Sequence, residues 1–154
     1  MATIFHEDLQ VGHVGRARTR RLRITQLSLF CCAVEAAHGL DSWSSEVVAP
    51  EAVGPEEPLN VLVVAGTVTQ ANAALVTETY DRLAQPRAVI AFGVCAISGG
   101  PYWDSYCVLP GIGDLVPVDV FVPGCPPRPA DLVDALSSLA DAVSTSELPT
   151  QVGA

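Results

Sequence analysis

The most constraining feature of this chain is the run from Leu59 to Gly66, which reads Leu-Asn-Val-Leu-Val-Val-Ala-Gly. Aliphatic residues occupy nearly every position of it, and a glycine ends it. Strands of a parallel sheet are covered on both faces and therefore carry such continuous apolar runs. The run predicts a strand inside a mostly parallel sheet.

Further strands and helices are predicted after this run. Residues 87–93 and 118–122 have the same apolar character and predict two more buried strands. Helices are predicted over about 70–84, stopped by Pro86, and over about 129–142. The order strand, helix, strand, long loop, strand, helix is typical of an α/β protein with an open, mostly parallel sheet and helices on both faces.

The chain is predicted to form one domain between two less structured ends. Its 154 residues suit a single domain, with residues 24–143 as the α/β domain, 1–23 as an arginine-rich N-terminal arm and 144–154 as a disordered tail. The first residues of the domain are strand-like or irregular. An alanine-rich helix is predicted to follow from Cys32 and to end at Gly39.

Charge and hydropathy argue against several classes of function. The formal net charge of −9 argues against nucleic acid as a partner. Five of the eight basic residues lie between Arg16 and Arg23; this segment is either a solvated arm or a surface for an acidic partner or anionic lipid. No apolar run approaches the roughly 18 to 20 residues that span a bilayer. No signal peptide is recognisable, so the chain is expected inside the cell.

The five cysteines carry the chemistry that the sequence suggests: Cys31, Cys32, Cys95, Cys107 and Cys125. An odd number in an intracellular protein indicates metal or redox chemistry rather than a disulfide framework. Cys95 and Cys125 follow predicted parallel strands, whose carboxyl ends meet at one edge of the sheet. Cys31 and Cys32 lie at a predicted helix N-terminus, where the helix dipole favours the thiolate. Cys107 has apolar neighbours and is predicted to be a small buried hydrophobe.

The spacing of the other four cysteines favours a [4Fe–4S] cluster over zinc. Four thiolates are the usual complement of such a cluster. Zinc sites commonly take ligands from Cys-x-x-Cys pairs, and this chain has none. The side chains of adjacent cysteines normally diverge, and a cubane cluster can accept both because its corners lie several ångströms apart.

Four segments between about Leu27 and Leu136 resemble one family in order and content. The family is that of the 20 kDa iron–sulfur subunit, the B-type subunit, of respiratory complex I, the NADH–quinone oxidoreductase. Small subunits of membrane-bound [NiFe] hydrogenases are similar but usually carry Cys-x-x-Cys where this chain has adjacent cysteines. The segments are Phe-Cys-Cys-Ala-Val-Glu (30–35), Val-Ala-Gly-Thr-Val-Thr (64–69), Gly-Val-Cys-Ala-Ile-Ser-Gly-Gly-Pro-Tyr (93–102) and Val-Pro-Val-Asp-Val-Phe-Val-Pro-Gly-Cys-Pro-Pro-Arg-Pro (116–129).

This resemblance implies a flavodoxin-like fold and one [4Fe–4S] cluster bound by Cys31, Cys32, Cys95 and Cys125. It implies an electron-transfer subunit, not catalytic alone, that passes electrons from upstream iron–sulfur centres to quinone at the cytoplasmic face of the membrane. The implied partners are a large 49 kDa-type subunit related to the hydrogenase catalytic subunit, a ferredoxin-like iron–sulfur subunit and the membrane subunits. Glu35 matches a family glutamate and is either a proton group coupled to the cluster or a surface residue.

The chain departs from the family on the quinone side. Ala36-Ala37 replace bulky residues, Gly54-Pro55-Glu56-Glu57-Pro58 replaces an arginine-containing segment, and Gln70-Ala71-Asn72 replaces an Asn-Lys stretch. The alternative function is therefore the small subunit of a membrane-bound [NiFe] hydrogenase or formate hydrogenlyase-like complex. Such a subunit would exchange electrons with a metal site in the large subunit.

The residues support two other functions less well. Gly66-Thr67-Val68-Thr69 at a strand end could hold the phosphate of a flavin or nucleotide, although a full glycine-rich fingerprint is missing. A cluster-free structural relative would share the fold. No Ser-His-Asp or Cys-His set is visible, and the three histidines have no motif around them. Tyr102, Trp103 and Tyr106 are predicted either to pack in the core or to cover the cluster or a partner.

Overall fold

The computed structural model describes residues 3–11, 20–44 and 58–144. Within these ranges the chain forms five strands, four α-helices and one 3₁₀ turn. The strands are β1 (Thr3–Val11), β2 (Arg20–Ser28), β3 (Leu59–Ala65), β4 (Arg87–Phe92) and β5 (Val120–Val122). The helices are α1 (Cys32–Ser44), α2 (Ala73–Arg82), α3 (Val94–Ser98) and α4 (Pro129–Ser144), and the 3₁₀ turn is Gly100–Tyr102.

The five strands form one open sheet in the order β1-β2-β3-β4-β5. Strands β2 to β5 are parallel, and β1 adds to the edge antiparallel to β2. The predicted α/β fold with an open, mostly parallel sheet is confirmed. Since the parallel strands run in one direction, their carboxyl ends lie along one edge, which is where open α/β sheets bind ligands.

Helices cover both faces of the sheet, as predicted. All seven residues of β3 are buried, because alternate side chains enter two different cores. Val61, Val63 and their neighbours pack with α1 and α4. Leu62 and Val64 pack on the opposite face, with Val76 of α2. No helix in the described ranges is long and apolar enough to cross a membrane.

The predicted boundary between an arginine-rich arm and the domain falls inside β2. Leu22 is buried in the core, and Arg23 next to it is exposed. Residues 24–27 are all buried, so β2 enters the core although the segment begins with arginines. Residues 3–11 pair with this strand along their whole length. The predicted tail at 144–154 lies, after Ser144, outside the described residues and stays a prediction.

Helix α1 does not end at Gly39 but continues to Ser44. A β-carbon built on Gly39 would lie 2.8 Å from the carbonyl oxygen of Pro129, the first residue of α4. The glycine therefore serves the close approach of α1 and α4. It is not a helix C-cap.

Backbone hydrogen bonds hold the long connection between β4 and β5 against α3 and against the turn that follows β3. Leu109 donates its N–H to Val68 O (2.9 Å), and Ile112 donates to Ala96 O (2.9 Å). Gln70 donates to Cys107 O (2.9 Å). These bonds hold the loop that follows Cys95 against the turn that follows β3.

Asp119, the residue before β5, provides a test of the pairing between β4 and β5. Its carboxylate accepts the N–H of Val89 (2.7 Å), and its own N–H donates to Val89 O (3.0 Å). Burial raises the pKa of this carboxyl, and the bond from Val89 opposes the rise less strongly. A carboxyl whose pKa is raised on folding contributes most below its unfolded value, and that contribution is lost as the pH rises through the folded pKa.

Asp119→Asn keeps an acceptor oxygen but cannot ionise. We expect this variant to be at least as stable as the wild type at about pH 7, with the difference shrinking as the pH falls towards about 4, the ordinary aspartate pKa. Denaturant unfolding at several pH values measures it. A variant that is less stable at neutral pH, by an amount that falls as the pH is lowered, would show that the Val89 bond outweighs burial.

Candidate metal centre

Two of the cysteines are brought to the sheet edge by the ends of β4 and β5. Gly93 donates its N–H to Val122 O (2.9 Å), and Val94 donates to Gly124 O (2.9 Å). These two bonds hold together the segments that carry Cys95 and Cys125. Cys95 is buried in the first turn of α3, whereas Cys125 is exposed.

The adjacent cysteines arrive at the same edge from β2. After this strand, Leu29 donates its N–H to Ala65 O at the end of β3 (2.8 Å). The chain then turns, and Cys32 opens α1. Cys32 is buried and Cys31 is exposed.

Glycines bring these segments within van der Waals contact. A β-carbon built on Gly93 would lie 2.6 Å from the Cys32 sulfur, and one built on Gly100 would lie 2.8 Å from the Cys95 sulfur. The Cys32 thiol therefore packs directly on the backbone at the end of β4, two residues before Cys95. The β-carbon built on Gly93 would also lie 3.6 Å from Pro127, in the loop of Cys125.

The other three thiols lie near enough to the Cys32 thiol to affect its pKa. That pKa is raised to about 12, mainly by burial and then by the neighbouring Cys31, through its charge and a side-chain hydrogen bond. Cys95 and Cys125 add smaller effects in the same direction. Four thiolates gathered here would repel one another, and bound cations would remove that repulsion because a coordinating thiol is deprotonated by its metal. The structure thus places Cys31, Cys95 and Cys125 near the Cys32 thiol.

This donor set fits a [4Fe–4S] cluster in kind and number. Four thiols are the usual complement of such a cluster. Within the part of the chain that the structure describes, no three Cys, His, Asp or Glu side chains are grouped so that they could hold a metal ion. Because Gly93 has no side chain, the Cys32 sulfur can lie against the backbone at the end of β4.

Cys107 stands apart from this group. It is half-buried, and its sulfur lies 3.2 Å from the Ser105 hydroxyl. It is not among the thiols that shift the pKa of Cys32. Its partial burial on the long loop is in keeping with the predicted packing role.

Exposed apolar side chains surround the cysteines in the sequence. Phe30 and Val34 flank Cys31 and Cys32, and Tyr102, Trp103 and Tyr106 follow Cys95. Tyr106 is 92% exposed, so of the two alternatives for the three aromatics, core packing is excluded. Exposed aromatic residues beside a functional site are typical of a surface that a partner covers.

Phe30 has an unusual backbone conformation. It is the non-glycine residue with a positive φ, 61°, in the described ranges. A left-handed backbone costs an L-residue roughly 1–2 kcal/mol, and the Phe30 side chain is 68% exposed and recovers little of that by packing. The strain lies in the residue that precedes the adjacent cysteines.

Phe30→Gly should relieve this strain, whereas Phe30→Ala should retain it. Glycine loses more unfolded-state entropy, so we expect the glycine variant to be the more stable of the two by only about 1 kcal/mol. Both variants lack the aromatic ring. The difference between their free energies of unfolding, measured with denaturant, therefore reports the backbone strain at residue 30. An alanine variant equal to or more stable than the glycine variant would show that the left-handed turn is not strained.

The residues around α1 and the turn after β3 bear on the remaining predictions. Ala36 is fully buried in the core between α1 and the sheet, so here the small residue is required by packing. Glu35 is half-buried in the first turn of α1. At the suggested phosphate site, the N–H of Thr69 donates to the Asn72 side chain (2.7 Å) and that of Gln70 donates to Cys107 O. Those two donors are therefore occupied within the chain.

Sequence reasoning missed Gln26, a buried amide of β2. It donates to Ser28 and to the Ala33 carbonyl at the start of α1. The available signal was a glutamine two residues after Ile24, on the same face of the predicted strand-like segment.

Comparisons with known proteins agree with the fold and with the family that the sequence resembles. A family described as NADH ubiquinone oxidoreductase, 20 Kd subunit, matches residues 25–139. The NADH-quinone oxidoreductase B-subunit 1 of Salinispora tropica is 40% identical over 133 residues, which are 84% of this chain and 70% of that protein. The NADH-quinone oxidoreductase B-subunit 2 of Streptomyces griseus is 39% identical over 134 residues, 85% of this chain and 57% of that protein. The chain thus spans little more than half of this second relative.

A solved structure shares the fold. It is that of the membrane-bound sulfane sulfur reductase, an archaeal respiratory membrane complex, with a TM-score of 0.58 and 25% sequence identity over 77% of this chain and 70% of that one. Fold and matches together define a subunit of an oxidoreductase complex. The chain belongs to the family of the 20 kDa subunit of NADH ubiquinone oxidoreductase.

Proposed function

We propose that this chain holds one [4Fe–4S] cluster through Cys31, Cys32, Cys95 and Cys125 and transfers electrons within a complex I-like membrane oxidoreductase. The observation that carries the proposal is the packing of the Cys32 sulfur against Gly93, two residues before Cys95 and beside the loop of Cys125. The cluster would supply one-electron redox chemistry. The chain's own residues supply the ligands and a setting of low polarity, which together tune the reduction potential.

The burial of the four thiols indicates how such a group would be oriented. Cys32 and Cys95 are buried against the sheet, whereas Cys31 and Cys125 are exposed. The group would therefore be covered by this chain on one side and by a partner on the other. We propose that the partner is a large 49 kDa-type subunit, with a ferredoxin-like iron–sulfur subunit upstream and membrane subunits beneath, at the cytoplasmic face of the membrane. The exposed aromatics after Cys95 suit that contact.

Quinone is the proposed acceptor, in a pocket shared with the large subunit. Glu35 lies one helical turn beyond Cys31 and is half-buried. At that position a carboxylate can take up a proton when the nearby charge becomes more negative. We propose this proton-coupling role for Glu35.

The cluster assignment is tested on the chain co-expressed with its large partner and purified without oxygen. We expect about four irons per chain and a reduced-state EPR signal of a [4Fe–4S] cluster. Serine variants of the four ligand cysteines should each lose iron and the signal. Cys107→Ser is the matched control, because its thiol is not part of the group, and it should keep both. Absence of iron in the wild type, or equal loss in the Cys107 variant, would contradict the assignment.

The alternative acceptor is a metal site in a hydrogenase-like large subunit. The observation that favours it is the pair Ala36-Ala37, which stands where the quinone-side residues of the family are bulky. Reduction of a quinone analogue by the purified complex, without nickel, would support quinone. Nickel in the complex together with hydrogen-dependent dye reduction would support the hydrogenase-like alternative.

A further inference from the structure

Gln26 is a polar residue in an otherwise apolar environment. It lies on the face of β2 that carries Leu22 and Ile24 into the core, and only 1% of it is exposed. Its Nε2 donates to the Ser28 hydroxyl (3.0 Å) and to the Ala33 carbonyl (3.1 Å). Because a carbonyl can only accept, the Ala33 contact determines which end of the amide points towards α1.

The other end of the amide has no partner. The Oε1 atom of Gln26 is buried and receives no hydrogen bond from the described residues. A buried acceptor without a donor is unfavourable, and an apolar residue of the same shape would avoid that penalty. Net stabilisation of the fold therefore does not explain this side chain. Its geometry offers another explanation.

Through its bond to Ala33, the Gln26 side chain connects β2 to the first turn of α1, across the turn that carries the adjacent cysteines. Ser28 is the last residue of β2, and Ala33 is the second residue of α1. Phe30, in the middle of this turn, has a φ of 61°. A turn that contains a strained residue needs surrounding contacts to hold it. The Gln26–Ala33 bond is one such contact, and it pulls the first turn of α1 onto β2.

We infer that Gln26 is a positioning residue that sets where the Cys31 and Cys32 sulfurs lie relative to the thiols on the β4 and β5 loops. The inference rests on the proposed cluster. A sub-ångström change in ligand position alters how tightly iron is held and the electronic signature of the cluster, since the contacts around metal ligands orient them. Loss of the bond should therefore appear at the cluster before it appears in the stability of the fold.

Gln26→Met tests this, because methionine keeps the length of the side chain but donates no hydrogen bond. In the complex with the large partner, we expect iron release to a chelator to become about tenfold faster, equivalent to about 1.4 kcal/mol. We also expect shifted EPR g-values and a melting temperature close to that of the wild type. Gln26→Leu is the second variant, in case the first does not assemble, and should change release in the same direction.

Two matched controls separate positioning from stability. Ser28→Ala keeps the bond to Ala33 and should release iron like the wild type. Asn60 is another buried amide, which donates to Ala84 O (2.9 Å) at the amino-terminal end of β3, away from the cysteines. Asn60→Leu should lower the melting temperature and leave the EPR signal unchanged.

The outcomes are distinguishable. If Gln26→Met released iron at the wild-type rate and had the wild-type EPR signal, the inference would be overturned. The cluster proposal would still stand, provided that the wild-type complex contains iron. The inference would also be overturned if iron release became faster in proportion to the loss of melting temperature, to the same extent in the Gln26 and Asn60 variants. A wild-type complex without iron would remove the proposed cluster, and the inference with it.

Discussion

Replacing Gly66 by alanine is expected to prevent the chain from folding stably. Gly66 follows β3 with a φ of 114°, and a β-carbon there would overlap the carbonyl of Leu29. The obstacle is backbone, so one of the two segments must move. Movement would break the bond from Leu29 N–H to Ala65 O. The unfavourable φ alone costs roughly 1–3 kcal/mol, and with the displaced backbone we expect a loss of more than about 4 kcal/mol.

A loss of this size approaches the whole stability of a typical domain, about 5–15 kcal/mol. Yield of soluble chain and denaturant unfolding measure it. Gly113→Ala is the matched control: a β-carbon there meets nothing within 4 Å, and its stability should be close to that of the wild type. If Gly66→Ala unfolded at the same denaturant concentration as this control, the turn of the adjacent cysteines would not rest on the end of β3.

Gly93→Ala is expected to keep the fold and lose the proposed cluster. Gly93 has a φ of 94°, and its β-carbon would lie 2.6 Å from the Cys32 sulfur. Here the obstacle is the end of a side chain, which can rotate away without moving the backbone. The thiol would then leave the position that we propose for a ligand. The positive φ adds roughly 1–3 kcal/mol of strain, a cost that the fold can bear.

Iron content and circular dichroism of the purified complex separate the two effects. We expect iron retention to fall by about tenfold or more, since each 1.4 kcal/mol corresponds to a factor of about ten, with native secondary structure retained. Gly113→Ala should keep the full iron content. A Gly93→Ala complex with wild-type iron and an unchanged EPR signal would show that Cys32 is not a ligand held against the end of β4.

The buried parallel strands could be predicted from composition, because both faces of each strand are covered and nearly every residue is apolar. Strand β3 matches the predicted run. Strand β5 is shorter than predicted, beginning at Val120, because the Asp119 carboxylate takes the place of a backbone partner for Val89. Helix α2 begins at Ala73, three residues late, because the Asn72 side chain folds back on Thr69.

Other elements were not predictable from local pattern. Strand β1 pairs with β2 at the sheet edge, and a strand's position at an edge depends on what lies beside it. The short helix α3 lies where the sequence predicted a loop. Gly39 reads as a helix end in isolation, and only the proximity of Pro129 shows why a glycine lies inside α1.

The position of the cysteines was likewise predictable from the sequence only in part. Local composition sufficed to place Cys95 and Cys125 at one sheet edge, because the carboxyl ends of parallel strands coincide whatever the rest of the chain does. It did not settle where Cys31 and Cys32 would lie, since that depends on β2 pairing with β3. That pairing, the contact of the Cys32 sulfur with Gly93 and the Gln26 bond to Ala33 join residues distant in sequence or separated by a turn. Such contacts are settled by packing in three dimensions, which one-dimensional periodicity does not record.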